Sequence, residues 1–414
     1  MNYLDFIVGA QKMGEARGIP SICSAHPWVL KTAMRQMAGG FLLVEATCNQ
    51  VNQFGGYTGL TPADFAAYVQ DLARQNDFPL EKLILGGDHL GPNVWQNEAA
   101  DSAMQKSLDM VQAYVRAGFT KIHLDASMKL ADDPAGALAP GVVAQRGALM
   151  AKAAEHAAPD AGQLRYVIGT EVPVPGGAQE REDLVSVTKV EDTRQTIALA
   201  HEEFLKAGLA SAWERVMAVV VQPGVEFGDD FVFEYEPEAA KELPAFIDTV
   251  PGLVYEAHST DYQTREALRS LVRDHFAILK VGPALTFAFR EAIFALANIE
   301  QEMFPAEACS NVPQALNNAA LRRPEYWQKY YHGSPAEQAF KLKYSLSDRI
   351  RYYWTDAEVQ TALQRLLKNL GEQKLPYSLL SQYAGKTNLT AAQVIEWKIS
   401  QVLETYQAAC GRSI

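Results

Sequence analysis

Residues 83–93 read Leu-Ile-Leu-Gly-Gly-Asp-His-Leu-Gly-Pro-Asn. Leu83-Ile84-Leu85 is a short apolar run bounded by turn residues, the pattern of a buried strand. The chemistry stands just past its C-terminal end. Asp88 and His89 put a carboxylate beside an imidazole, a pair able to hold a divalent metal and to move a proton. The neighbouring glycines let the backbone turn and leave room for a ligand. A two-residue motif is weak by itself, and an Asp capping the next helix beside an ordinary polar His fits this stretch equally well. What separates the two readings is recurrence.

Seven further apolar runs end in polar or glycine residues: Ser21–Ala25, Phe41–Ala46, Lys121–Ala126, Tyr166–Val172, Val216–Val221, Leu253–Ala257 and Ala277–Val281. Helical patterns fill most intervals, over residues 61–75, 99–117, 192–207 and 285–303. Thr61-Pro62 opens the first with a cap residue and a proline at the first helical position. Eight strands alternating with helices imply parallel connections and an α/β fold, the (β/α)8 TIM barrel. The barrel is expected over residues 1–304. A doubly wound open sheet is the alternative, but no GxGxxG fingerprint is present. From residue 305 to 414 the chain reads as a mostly helical C-terminal extension packed on the barrel. Its aromatic clusters at 326–331 and 344–354 are expected as core or interface rather than ligand contacts.

The 414 residues are 48% hydrophobic with a formal net charge of −12. That balance argues against a nucleic-acid or anionic-membrane partner. It leaves room for a local basic pocket that takes a phosphorylated sugar. Cys23, Cys48, Cys309 and Cys410 lack CxxC spacing and read as free thiols of a reducing, cytoplasmic compartment. The opening residues carry no basic segment followed by a long apolar core, so no signal peptide is expected. No apolar run approaches membrane-spanning length.

The polar residues gather at the C-terminal strand ends, the face where barrel enzymes do their chemistry. Asp88, His89, His123, Asp125, Glu171, Gln222, Glu226, His258 and Asp261 then share one mouth. His89 and His258 are the metal-ligand candidates and Asp88 the acid/base candidate. Neighbours on a regular strand point to opposite sides, so Asp88 and His89 share the mouth only where the strand has ended. His123, inside its strand, reads as a core or supporting histidine. His26, followed by Pro27, reads equally as a structural turn. His156, His201, His275 and His332 read as surface or packing residues. Two stretches suit a phosphate or polar sugar. At residues 173–177 the bare backbone of Gly176 and Gly177 can approach a ligand. Ser259 and Thr260, with Gly282 and Thr286 at the start of the last barrel helix, offer hydroxyls, N–H groups and a helix dipole to an anion. Tight turns explain both stretches as well. Lys280 reads as a snorkelling or ion-paired lysine rather than a Schiff-base former.

Several long motifs occur in order over almost the entire chain: CSAHP (23–27), VEATCNQVNQFGGYTG (44–59), ILGGDHLGPN (84–93), KIHLDASM (121–128), VIGTEVPVPGG (167–177), VVVQPGVEF (219–227), VYEAHSTDYQ (254–263), ILKVGPALTFAFREAIFALA (278–297) and YSLSDRIRYYW (344–354). Together they resemble the D-tagatose-1,6-bisphosphate aldolase Z-subunit (GatZ/KbaZ) family. The resemblance implies a TIM barrel of sugar catabolism that takes a sugar or sugar phosphate and supports a separate catalytic Y-subunit. A homo-oligomer is expected. Members also carry an older label, tagatose 6-phosphate kinase, and a related branch is a metal-dependent tagaturonate epimerase. The readings left open are therefore a lyase subunit, a self-sufficient epimerase and, after the older label, a tagatose 6-phosphate kinase. No GxxxxGK[ST] loop supports the kinase label.

The chain is also distantly similar to class II, zinc-dependent ketose-bisphosphate aldolases. That similarity implies catalytic roles for Asp88 and Glu171 and zinc or a similar divalent metal on His89 and His258. It also implies phosphate contacts at Ser259 and the strand-eight turn. The third zinc histidine expected at strand six is replaced by Gln222-Pro223. Glu171, Gln222 and Glu226 stay open as the third ligand.

Overall fold

The computed structural model describes residues 2–37, 39–169 and 186–411. Its strands are β1 (Ile19–Ile22), β2 (Leu42–Thr47), β3 (Leu83–Leu90), β4 (Lys121–Leu124), β5 (Arg165–Ile168), β6 (Val216–Val220), β7 (Val254–Ala257) and β8 (Phe276–Val281). Each pairs in parallel with its neighbour, and β8 returns to β1 through Ile19↔Ile278 and Ser21↔Lys280, closing a barrel. A short antiparallel pair, Glu226–Phe227 with Val232–Phe233, stands outside it after β6. The expected (β/α)8 architecture is present.

Local chemistry sets the element ends. Thr61 and Asp64 form a reciprocal capping box and Pro62 enters at the first helical position, so the helix Pro62–Gln75 starts where its sequence signals it. β1 begins two residues earlier than its apolar run suggested, which leaves His26 as the N-cap of the helix Pro27–Gln36. β5 ends at Ile168, one residue before the last described position of this stretch, and residues 170–172 of the expected strand fall outside the described residues.

β3 differs most. It continues through Asp88 and His89 to Leu90 instead of ending before them. Its register against β4 shifts between Gly87 and Leu90, and His89 takes a left-handed φ of 49°. The bulge re-aims the side chains, so two adjacent residues face the same mouth without the strand ending.

Apolar side chains fill the barrel's N-terminal end. Leu4, Ile7 and Val8, from the helix Tyr3–Lys12, pack with Ile19, Leu43, Ile84, Val167, Met217, Val254 and Ile278. Residues 305–411 are built of helices, among them Val312–Arg322, Ala357–Leu370 and Ala391–Ala409. The last of these packs on the helices Pro27–Gln36, Arg265–Arg273 and Pro283–Met303, over the seam where β8 meets β1. Its side chains join the same apolar core as the helices around the barrel. None of the four cysteines is in a disulfide. Among the described residues no helix is long and apolar enough to cross a membrane.

Gly91 is sterically obligatory: a Cβ there would lie 1.6 Å from the Asp125 carbonyl oxygen. Gly147, inside the helix Pro140–Ala157, has nothing within 4 Å of the same added atom. Gly91→Ala is expected to destabilise the protein by about 3 kcal/mol or more through backbone displacement. Gly147→Ala is expected to stabilise it by about 0.5–1 kcal/mol. Urea midpoints of the two variants check both signs.

Candidate metal centre and substrate cavity

Four charged side chains meet inside the barrel above its apolar floor: Glu45 from β2, Lys121 from β4, Glu256 from β7 and Lys280 from β8. Lys121 Nζ lies 2.6 Å from Glu45 Oε1 and 2.6 Å from Glu256 Oε2, with all three side chains fully buried. Lys280 Nζ pairs with Glu45, reaches Glu256 Oε1 at 3.3 Å and Asp88 Oδ1 at 2.8 Å. Gly86 makes the room, since a Cβ there would meet Glu45 Cγ at 2.7 Å. Burial alone would strip the Lys280 charge, but Asp88, Glu256 and Glu45 hold its pKa well above the ordinary value. An ammonium so held is no Schiff-base nucleophile.

Three imidazoles stand on this lattice. The rings of His89, His123 and His258 form a triangle with centroids 5.1, 4.8 and 5.2 Å apart. Each has one nitrogen on a buried carboxylate: His89 Nδ1 on Asp125 Oδ2 at 2.8 Å, His123 Nδ1 on Asp88 Oδ1 at 2.9 Å, and His258 Nε2 on Glu256 Oε1 at 2.9 Å. Burial opposes ionisation of Asp88, but Lys280 and His89 pull its pKa well below the carboxylate range. The ionised Asp88 carboxylate calls for a proton on His123 Nδ1, whereas the His89 backbone N–H, 3.2 Å from the same nitrogen, calls for a lone pair there, so the ring serves one of these partners at a time. His123 Nε2 is buried without a hydrogen-bond partner. Donor atoms of Asp88, His89, His123 and His258 all lie within 4.8 Å of one another.

This set fits a divalent cation. Nitrogen donors held by carboxylates through their second nitrogen are the usual support of a metal centre. The charges agree: Lys121 and Lys280 oppose Glu45, Asp88, Asp125 and Glu256, a formal net of −2 with neutral histidines. The same field acts on protons. Burial would lower the His89 pKa, yet Asp88 and Asp125 raise it. His258, for which burial prevails, falls to about 3 and stays neutral.

His123, read from sequence as a core or supporting histidine, is fully buried and holds Asp88, and it also stands in the triangle. The signal was its spacing: Lys121, His123 and Asp125 alternate on one strand face, and polar residues at alternate positions of an apolar strand face the barrel interior. The third-ligand candidates fare differently. Gln222 Oε1 accepts from the backbone of Gly224 and Val225, closing its own loop. Glu226 Oε1 accepts from Phe227 N, and the carboxylate pairs with Ser259; burial lifts its pKa to about 7. Neither joins the histidines: the strand-six loop turns both residues onto its own backbone, while β4 brings His123 in from below. Glu171, Gly176 and Gly177 lie outside the described residues.

Above the histidines opens a cavity of about 520 Å³. Asp88, His89, His258 and Ser259 line it from the barrel, and Arg351, Tyr352 and Trp354 from the C-terminal extension. These extension residues, expected as packing, form part of the cavity wall. The anion site expected at the last barrel helix is altered. The N–H groups of Gly282 and Ala284 both donate to Asp261 Oδ1, at 3.0 and 2.8 Å. The protein's own carboxylate thus satisfies the donors that a phosphate would use. Thr286 lines the cavity, but its hydroxyl donates to Asp348 Oδ2 at 2.6 Å. The Thr260 hydroxyl is fully buried, bonded to the Lys280 carbonyl and 3.0 Å from the Tyr406 hydroxyl.

The profile of the family described as D-tagatose-1,6-bisphosphate aldolase subunit GatZ/KbaZ-like matches residues 4–411. The chain belongs to this family. It is 51% identical to the D-tagatose-1,6-bisphosphate aldolase subunit GatZ of Klebsiella pneumoniae subsp. pneumoniae, over 98% of each chain. The GatZ subunit of Salmonella gallinarum gives the same identity and coverage. Among solved structures, a probable tagatose 6 phosphate kinase from Sinorhizobium meliloti 1021 superposes with a TM-score of 0.88 at 44% identity, covering 95% of this chain and all of that one. As a GatZ/KbaZ-like protein, the chain carries its histidine triangle within the matched span.

Two outcomes test the electrostatics. Lys121→Met leaves Glu45 and Glu256 partly uncompensated in the interior, and an expected loss of about 3–5 kcal/mol follows; denaturant unfolding reads it. The second concerns Glu226. Its pKa is raised on folding, so the folded state holds the proton more tightly. The stability this contributes is present below the ordinary glutamate value near 4.5 and is lost as pH rises through about 7. Glu226→Gln is expected to lose less stability than the parent across that window in a pH series of thermal melts.

Proposed function

We propose that this chain is a Z-type subunit of a D-tagatose-1,6-bisphosphate aldolase with a divalent metal centre of its own on His89, His123 and His258. The observation that carries the subunit reading is the 51% identity to GatZ subunits over nearly the whole of both chains. The metal reading rests on three converging imidazoles, one of them with a buried Nε2 that has no hydrogen-bond partner. Three nitrogen ligands beside a carboxylate suit zinc or a similar ion. When bound, such an ion would polarise a carbonyl oxygen.

The chain's own residues do the rest. Lys280 and His123 both hold Asp88 Oδ1, fixing the carboxylate and keeping it ionised. Its Oδ2, 3.8 Å from His89 Nε2, is the oxygen that accepts a hydroxyl proton from a sugar in the cavity and returns it. In retro-aldol cleavage that proton leaves the hydroxyl whose carbon becomes the new carbonyl. The partner is a catalytic Y-subunit and the ligand a ketose phosphate. A second reading, a self-sufficient metal-dependent epimerase acting on tagaturonate or a ketose, is favoured by one observation: the histidine set is complete within this chain.

Metal analysis of the purified protein is expected to find about one divalent ion per chain, and His123→Ala to weaken that binding by about 10-fold or more. Aldolase turnover with D-tagatose 1,6-bisphosphate is expected to rise on addition of a Y-subunit, and any turnover of the chain alone to vanish in Asp88→Asn with the melting temperature retained. No effect on a Y-subunit, together with metal-dependent epimerisation of D-tagaturonate by the chain alone, replaces the first reading with the second.

A further inference from the structure

A sugar phosphate or sugar acid brings a negative charge into the cavity, and the places that could receive it can be eliminated in turn. The N-terminus of the helix Pro283–Met303 is closed, because Asp261 accepts from Gly282 N and Ala284 N. Lys280 lines the cavity but is neutralised by Glu45, Asp88 and Glu256. Among the described residues that line the cavity, one further permanent cation remains, Arg351.

Its surroundings are those of a charge awaiting a counter-ion. Arg351 Nη1 donates to the backbone oxygens of Ser347 and Asp348, and Nη2 to the Tyr352 hydroxyl at 2.9 Å. The Tyr57 hydroxyl is hydrogen-bonded to the same guanidinium. All these partners are neutral oxygens, and among the described residues Arg351 makes no ion pair within 4.0 Å. The nearby carboxylates are otherwise engaged: Asp348 with Arg290 at 3.3 Å and with Thr286, Asp261 with its two backbone donors. The bonds to backbone oxygens hold the guanidinium in place, and Tyr57 and Tyr352 flank it on the cavity wall. Both Nη1 protons and one Nη2 proton are spent on these oxygens, so an oxyanion would meet the guanidinium's unpaired charge and the donors left on its Nε/Nη2 edge.

We propose that Arg351 is the anion anchor of this cavity, holding the phosphate or carboxylate end of a sugar whose reacting end lies against Asp88 and the histidine triangle. The proposal rests on the reading of the cavity as the sugar site. It assigns the C-terminal extension a part in choosing substrate: the barrel supplies the reacting groups, and residues 349–354 select for charge. The site takes an anionic sugar and discriminates against its neutral counterpart.

The test is titration calorimetry of the full chain with D-tagatose 6-phosphate, D-tagaturonate and D-tagatose, on the parent, Arg351→Gln and Arg351→Lys, with metal content measured in each. The parent is expected to bind one of the two anionic sugars more tightly than D-tagatose, and which one identifies phosphate or carboxylate as the anion. Arg351→Gln is expected to weaken that ligand about 10- to 100-fold, the range of a charge-assisted hydrogen-bond pair. D-tagatose affinity and metal content should stay within about threefold. Arg351→Lys, which keeps the charge without the fork, should fall between and keeps the test open if the glutamine variant does not fold. An equal loss for D-tagatose, unchanged affinity for the anionic sugar, or no preference for either anionic sugar in the parent overturns the anchor. Arg351-dependent binding by a protein that holds no metal would sustain the anchor and remove the metal centre proposed above.

Discussion

Two lysines and two glutamates inside the barrel constrain everything above them. Buried charges are tolerated only when paired, and here each lysine stands within ion-pair distance of both glutamates: Lys121 at 2.6 Å from each, Lys280 beside Glu45 and Glu256. The lattice ties four of the eight strands across the barrel interior. Its remaining valences point upward. Lys280 holds Asp88, and Glu256 holds His258. The orientation of Asp88 and His258 is therefore set from below by ion pairs that cannot relax independently, because releasing one member leaves another buried and unpaired.

The same lattice explains the electrostatic character of the mouth. An excess of carboxylates over lysines creates a field that raises the His89 pKa against the effect of burial and that suits a cation among the three histidines. The rim behaves oppositely. Asp261 lies against two backbone N–H groups, and burial still lifts its pKa to about 6. The helix N-terminus that barrels commonly offer to phosphate is thus occupied from within, and the positive charge of the cavity comes from the extension instead. The cavity thus combines a carboxylate-rich floor with an arginine in its wall, the arrangement on which the proposed anion anchor rests.

The C-terminal helices serve both stability and the cavity. The helix Ala391–Ala409 covers the seam of the barrel and anchors Thr260 through Tyr406, whose hydroxyl donates to the Thr260 carbonyl at 2.6 Å. The segment Arg349–Tyr353 reaches over the mouth, where Trp354 packs edge-on against Phe289 of the last barrel helix. Thr286, read from sequence as a ligand contact, binds Asp348 and so helps fasten this segment to the barrel.

By itself the sequence determined the barrel. Eight apolar runs, each ending in polar or glycine residues and separated by helical periods, suffice because strand alternation and helix capping are local effects. The long motifs placed the chain in its family for the same reason, since they are contiguous. Asp88, His89 and His258 were legible at strand ends, and their neighbourhood in space follows from the closure of the barrel. What only the tertiary structure decided depends on contacts between residues far apart in the chain. His123 becomes a member of the triangle because a bulge in β3 and the pairing of β3 with β4 bring it beneath His89. Asp261 closes the helix that its own sequence leaves open, across 21 and 23 residues. Arg351 faces the cavity because residues 305–411 fold back over the mouth, and no local pattern in an aromatic-rich segment distinguishes a packing arginine from one that lines a site. Local rules set which elements form; long-range pairing sets which side chains meet.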